Sequence, residues 1–155
     1  MYRYDYTISL GVRHPSAASA EVASRLALER GFFRDVGTEL RDDDGTLIRV
    51  HPFTWVLFNL SRGKDGWLMD AWPTVIPLLQ SRAEAITALV QAGAEVDMRI
   101  GLFGHQHGTW AGFDLDHALV RLLADLRIRF QLETYFPDES DLPIADGTAD
   151  DTAPD

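Results

Sequence analysis

The sequence predicts a two-layer α+β domain in which helices cover one face of a mostly antiparallel or mixed sheet. Several segments alternate strictly between apolar and polar residues, which is the pattern of strands with one buried face. Other segments carry apolar residues at helical spacing, and the predicted order of elements is β-α-β-β-β-α-α-β-β-α-β. The length of 155 residues fits one domain, which we expect to span residues 1–136.

The first half of the chain begins with a predicted strand over residues 2–12, where every second residue is apolar. A helix is expected to follow as far as Arg30, with Gly31 as its stop. Strands 38–41 and 46–50 flank an Asp-Asp-Asp-Gly turn in which Gly45 can adopt positive φ. The strand 53–60 is apolar on both faces, so we expect it in the centre of the sheet.

The middle of the chain predicts a loop over 63–66 and then two short helices. The first is expected over 70–79, with Pro77 bending or ending it. The segment 81–84 has the form of a capping box and predicts the start of the second helix, which Gly93 ends.

The last third repeats the strand pattern over 96–102, followed by a Gly- and His-containing turn at 104–108 and a short strand at 109–113. Asp114 is the predicted N-cap of an amphipathic helix whose apolar residues extend from 115 to 126. A final alternating strand is expected over 127–136, and Pro137 ends the fold.

The net charge of −10 is concentrated at the end of the chain. Residues 137–155 contain seven acidic residues and no Lys or Arg, together with few large apolar residues. Such a composition predicts an acidic disordered tail, because it cannot offset its own ordering entropy.

Composition excludes several classes of protein. The absence of cysteine excludes disulfide frameworks, cysteine-ligated zinc, iron–sulfur clusters and thiol catalysis. The sequence has neither a long apolar run nor a signal peptide, so no membrane association is predicted and a cytoplasmic location is expected. It also lacks a basic stripe and the usual nucleophile, dinucleotide and phosphate-binding motifs. We therefore expect no nucleic-acid partner and no cofactor, and a non-enzymatic role is favoured.

One alternative is a metal site at the turn that carries His105 and His107. Two imidazoles two residues apart can share one ion, and Asp114, Asp116 or His117 are available as further ligands. The turn would then belong to a metal-binding protein or a metal-dependent enzyme; without metal it is an exposed turn.

The polar residues of the predicted strands suggest a second kind of site. Five of them alternate with the apolar residues of two strands and are expected to point away from the core: Asp97, Arg99, Arg129, Glu133 and Tyr135. They form either a ladder of cross-strand pairs or a surface that binds a protein partner, with Arg and Tyr as anchors.

Tryptophans offer a third possibility. Buried packing is the usual role of Trp in a small core. Trp67 and Trp72 flank a loop and a helix start, so one of them can instead line a pocket for a small ligand.

Residues 4–136 resemble the bacterial domain-of-unknown-function family 4279. The similarity lies in the Tyr-Asp-Tyr-Thr-Ile-Ser-Leu opening strand, the Trp-bearing strand at 54–57, the helix pair near 70–92 and the ending at 119–135 with Glu133-Thr134-Tyr135. The resemblance implies no established activity, and an immunity role, in which a small acidic domain neutralises a toxin, is suggested by analogy alone. The leading interpretation is a non-enzymatic protein-interaction module with an unknown protein partner.

Overall fold

Residues 4–103 and 113–135 are described by a computed structural model, and they form a five-stranded mixed sheet, a separate two-stranded sheet and helices packed on one sheet face. The predicted α+β class is confirmed. The strands are β1 Tyr4–His14, β2 Phe33–Arg34, β3 Glu39–Arg41, β4 Leu47–Val50, β5 Thr54–Gly66, β6 Glu95–Phe103 and β7 Arg129–Tyr135. The helices are α1 Ser19–Leu26, α2 Trp72–Ser81, α3 Ala83–Gln91 and α4 His117–Asp125, with a 3₁₀ turn at Leu68–Ala71.

The main sheet has the strand order β2-β5-β1-β6-β7. All neighbours pair antiparallel except β6 and β7, which run parallel because α4 connects them. β1 is the central strand, and β5, for which we predicted the centre, lies beside it. Among the described strands, β3 and β4 pair only with each other, across a turn in which Gly45 has the positive φ expected of it.

The core lies between the helices and the even-numbered residues of β1, β5 and β6. Alternation places every second residue of a strand on one face, so these residues share one side of the sheet. The fully buried strand residues are Ile8, Leu10, Val12, Val56, Phe58, Met98, Ile100 and Leu102, and they pack with the helical residues Val22, Leu26, Val75, Leu79, Ile86, Leu89 and Leu119.

Helix α1 is shorter than predicted. It ends at Leu26, and Ala27 takes the left-handed conformation with φ 49°, so the predicted extension to Arg30 is wrong. Gly31 is not the helix stop, because its N–H already donates to the carbonyl of Leu57 at 2.8 Å. Pairing with β5 therefore draws the chain out of the helix before the glycine is reached.

The boundary between α2 and α3 also differs from the prediction. Pro77 lies inside α2, which continues to Ser81 and is held by its buried residues Trp72, Val75 and Leu79. The predicted capping box is wrong, because Ser81 ends α2 and its hydroxyl donates to the carbonyl of Leu78 at 2.7 Å. α3 begins at Ala83 without a side-chain cap.

Two further boundaries are corrected. The N-cap of α4 is Asp116, whose Oδ1 accepts from the Ala118 N–H at 2.7 Å, and not Asp114. Residues 63–66 are not a loop; they belong to β5, because β1 is long enough to pair with them as far as the Tyr4–Gly66 match.

Several predictions lie outside the described residues: the turn at 104–108, the strand at 109–113 apart from Phe113, and the acidic tail at 137–155. Within the described part of the chain, no helix has the length and apolar character needed to cross a bilayer.

Candidate functional site

The sheet face turned away from the helices is the candidate site, and we call it the polar face. It consists of the odd-numbered residues of β1, β6 and β7 together with Trp55 of β5. The register places Asp97 beside Arg129, Gly101 beside Glu133 and Phe103 beside Tyr135. The five residues predicted for partner binding therefore share one face of the sheet, since β6 and β7 are neighbours, although Asp97 is buried within it. That they bind a partner remains a prediction.

Asp97 lies at the centre of this face and is only 1% exposed. Its Oδ2 accepts a hydrogen bond from Nε of Arg99, and its Oδ1 has no partner among the described residues. Gly11 faces it across the β1–β6 pairing, and a Cβ at position 11 would come within 2.9 Å of both carboxylate oxygens. The glycine therefore makes the space in which the carboxylate is buried.

Arg99 is held from two sides. Its Nε bonds to Asp97, and its guanidinium carbon lies 5.3 Å from the centre of the Trp55 ring. Its two Nη groups have no hydrogen-bond partner within 4–103 and 113–135. Because a planar guanidinium donates through a rigid fork, Arg99 is preoriented to bind a carboxylate or carbonyl oxygen.

Trp55 completes this cluster, although the sequence reasoning did not select it. It lies on β5 and Arg99 on β6, so their contact crosses β1 at the position where Gly11 has no side chain. Phe32 packs edge-on against the Trp55 ring at 5.2 Å, and the buried Trp55 Nε1 has no hydrogen-bond partner in the described part of the chain. The sequence did carry a signal that Trp55 belongs to the polar face. Thr54, Val56 and Phe58 are buried on the other face, so alternation along the strand turns Trp55 away from the helices.

Glu95 connects the other two arginines of the polar face. Its Oε2 lies 3.1 Å from Nη2 of Arg129 and 3.5 Å from Nη1 of Arg13. These groups are well exposed, so the pairs add little to stability. They do fix the positions of two arginines at one end of the surface.

The opposite end carries an exposed aromatic pair, Phe103 and Tyr135. Their rings stack 4.9 Å apart with only 10° between the planes, and they are 40% and 50% exposed. The Tyr135 hydroxyl donates to Glu133 Oε2, and Gln131 Nε2 donates to Glu133 Oε1 at 2.9 Å. The hydrogen bond to Glu133, its negative charge and partial burial raise the pKa of Tyr135, and Arg99 opposes this shift.

A cleft of about 410 Å³ is lined by Phe103 and by residues of the paired strands β1 and β5. Its rim carries two exposed cations, Arg62 and Lys64, and Gly63 forms part of its wall. Asp5 lines the same cleft, so this end of the polar face combines aromatic surface with charged groups of both signs.

Two histidines, His14 and His51, have defined neighbours in the structure. Nδ1 of buried His14 accepts from the N–H groups of Ala17 at 2.8 Å and Ser16 at 3.1 Å, which fixes the turn into α1. His51 lies 3.2 Å from Arg34 through its Nε2. Burial lowers the pKa of His51, and the charges of Arg49 and Arg34 lower it further.

The predicted metal ligands His105 and His107 lie outside the described residues, so the metal hypothesis stays a prediction. Asp114, Asp116 and His117 are described. No group of three or more His, Asp or Glu side chains in the described ranges is arranged to hold a metal ion.

The two tryptophans of the pocket hypothesis have different environments. Trp72 begins α2, is 5% exposed and donates through Nε1 to the carbonyl of Asp114 at 3.3 Å. Trp67 is half-buried just before the 3₁₀ turn. Neither lines the cleft beside Phe103, and ligand binding near them stays a prediction.

The carboxylates of Glu95, Asp97 and Glu133 are each held by arginine, glutamine or tyrosine donors.

Comparisons with protein-family models, with curated proteins and with solved structures gave no match, so the resemblance to family 4279 stays a prediction.

Proposed function

We propose that the chain is a non-enzymatic protein-interaction module that binds a protein partner on its polar face. The observation that carries this proposal is the arrangement of Arg99, which is held by Asp97 and Trp55 while its Nη groups have no hydrogen-bond partner among the described residues. Arg, Trp and Tyr are the residue types that contribute most to protein–protein binding, and all three meet on this surface.

A buried ion pair is costly, which supports a role for Asp97 beyond stability. Desolvation of two charges often offsets their attraction, and apolar residues of similar volume stabilise a core at least as well. Here the carboxylate orients one arginine, and its own Oδ1 has no partner within residues 4–103 and 113–135. We infer that the pair positions Arg99 for binding.

The partner we expect presents an acidic side chain to Arg99 and an apolar side chain to the Phe103–Tyr135 pair. Arg62, Lys64 and Asp5 line the cleft at the same end of the surface, so contacts to either charge sign are available there. The chain as a whole carries a net charge of −10, which opposes strongly acidic partners. The partner is therefore a protein of neutral or basic overall charge with a local acidic contact. A toxin neutralised by an immunity-type protein would be one such partner.

The test replaces Arg99 by Lys, which keeps the positive charge beside Asp97 but removes the planar fork and its stacking on Trp55. The tagged chain is recovered from its source cells, co-purifying proteins are quantified, and the dissociation constant of any stoichiometric partner is measured. We expect Arg99→Lys to weaken binding by about tenfold or more.

Arg25→Lys is the matched control, because Arg25 is an exposed arginine of α1 that pairs with Glu21. A partner bound equally by wild type and this control but lost with Arg99→Lys supports the proposal. If wild type, Arg99→Lys and Arg25→Lys bind the partner equally and Tyr135→Ala also has no effect, the partner uses another surface. That result overturns the proposal. Circular dichroism establishes that each variant is folded.

A further inference from the structure

β7 forms one edge of the main sheet. It pairs with β6 on one side, and no strand within the described residues pairs with its other side. An edge strand presents a row of backbone N–H and C=O groups that can pair with another strand. β7 is seven residues long, or roughly 23 Å, so this edge is long enough to bind a strand of similar length.

The sequence of β7 is complementary to itself when two copies run antiparallel. Centred on Gln131, the segment Arg-Phe-Gln-Leu-Glu places Arg129 of one copy opposite Glu133 of the other. Phe130 of one copy then lies opposite Leu132 of the other, and the two Gln131 side chains face each other. Opposite charges and apolar pairs at facing positions are the contacts that stabilise antiparallel strands.

The same register keeps each side chain on its proper face. Residues directly opposite in an antiparallel pair point to the same side of the sheet, so Arg129 and Glu133 stay on the polar face. Phe130 and Leu132 stay on the helix side, where they are 38% and 37% exposed in the single chain. Pairing would cover part of this apolar surface and satisfy the edge backbone groups at the same time.

Charged residues on an edge usually protect it against pairing. In β7 the two charges have opposite signs and are placed symmetrically about Gln131. They therefore repel a strand that places a like charge opposite either residue. They attract a second copy of this chain, which places the opposite charge at both positions.

The geometry points to a homodimer in which the β7 strands of two copies pair antiparallel about Gln131 and join the two sheets into one. Such an interface is isologous, so each copy contributes the same residues. A single strand edge buries less than the ~800 Å² per partner of a standard interface, and we expect a dissociation constant in the micromolar range.

The test uses charge reversal in the full chain. Arg129→Glu gives a strand with acidic residues at both positions, and Glu133→Arg gives one with basic residues at both. Each single variant then sets like charges opposite each other, and its dimer is expected to be weaker by about tenfold. The double variant exchanges the two charges and restores dimerisation to near the wild-type level.

Mixing the two single variants provides the sharpest readout. An acidic strand then faces a basic one at both charged positions, so a heterodimer is expected where each variant alone is mostly monomeric. Analytical ultracentrifugation and native mass spectrometry measure the species, and Arg25→Glu on α1 is the control that dimerises as wild type does.

Two results overturn the dimer itself, and a third overturns its register. One is a wild-type chain that stays monomeric throughout the micromolar range. The other is a dimer that survives both single charge reversals unchanged, since it would then use a different surface. Loss of the dimer in the singles without recovery in the double variant and in the mixture contradicts the proposed register.

Discussion

The carboxylate of Asp97 occupies the space that a side chain at position 11 would need. Gly11 and Asp97 are direct partners in the β1–β6 pairing, and the missing Cβ at position 11 lets the carboxylate lie flat against β1. The same gap lets Trp55 and Arg99 meet across β1. One glycine in the central strand therefore makes room for the contacts among Asp97, Arg99 and Trp55.

Gly11→Ala is expected to destabilise the fold by about 1–3 kcal/mol, because the new methyl group would lie within 2.9 Å of both Asp97 oxygens. Urea denaturation measures the free energy of unfolding. Gly66→Ala is the control in the same sheet, because its Cβ would meet its nearest neighbour, Tyr6, at an ordinary 3.5 Å. Equal effects of the two substitutions would show that the contact with Asp97 is unimportant.

The Asp97–Arg99 pair is expected to show strong coupling in a double-mutant cycle. Removing Arg99 leaves a buried carboxylate without its cation, and we expect Arg99→Ala to cost about 2–3 kcal/mol, reduced from the value for a fully buried pair because Arg99 is partly exposed. The double variant with Asp97→Ala should cost less than the sum of the two single variants. Additive costs, measured by chemical denaturation, would mean that the two side chains do not depend on each other.

Tyr135 is expected to ionise only above the ordinary tyrosine pKa of 10.0, because Glu133 holds its proton and repels the phenolate. The folded-state pKa is raised, so this contribution to stability is present below pH 10.0 and lost as the pH rises through the higher folded-state value. Ultraviolet titration of wild type against Tyr135→Phe isolates this group. Glu133→Gln should lower the pKa of Tyr135, and an unchanged titration curve would contradict the assignment.

His51 is expected to stay neutral to lower pH than a free histidine, because burial and the charges of Arg49 and Arg34 disfavour the imidazolium. The folded-state pKa of His51 is lowered, so the neutral ring contributes fully to stability above pH 6.5. That contribution is lost as the pH falls from 6.5 through the folded-state pKa. An NMR titration of the His51 ring measures the value. Arg49→Ala should raise the pKa of His51. Arg25→Ala on α1 is the control and should leave the pKa of His51 unchanged.

The strands and their faces could be predicted because side-chain direction along a strand depends only on position in the chain. Alternation in 96–102 and 127–136 placed Asp97, Arg99, Arg129, Glu133 and Tyr135 outward, as the structure has them. Trp55 was missed because the apolar run around it hid the same alternation.

Helix boundaries were less predictable because contacts made elsewhere in the fold decide them. Gly31 suggested a stop for α1, yet the chain leaves the helix at Ala27 and then bonds to β5. Ser81 suggested the start of α3, yet it closes α2. In both places tertiary packing overrode the local signal, as is common for short helices.

By itself the sequence determined the α+β class and the sheet face to which Asp97, Arg99, Arg129, Glu133 and Tyr135 belong. Each of these follows from periodicity within one segment, which needs no knowledge of its neighbours. The tertiary structure alone decided that β6 and β7 are parallel neighbours, that β1 is central and that Arg99 meets Trp55 across Gly11. These relationships join residues far apart in the chain, so they depend on which strands pair and in what register, and no local pattern encodes that choice.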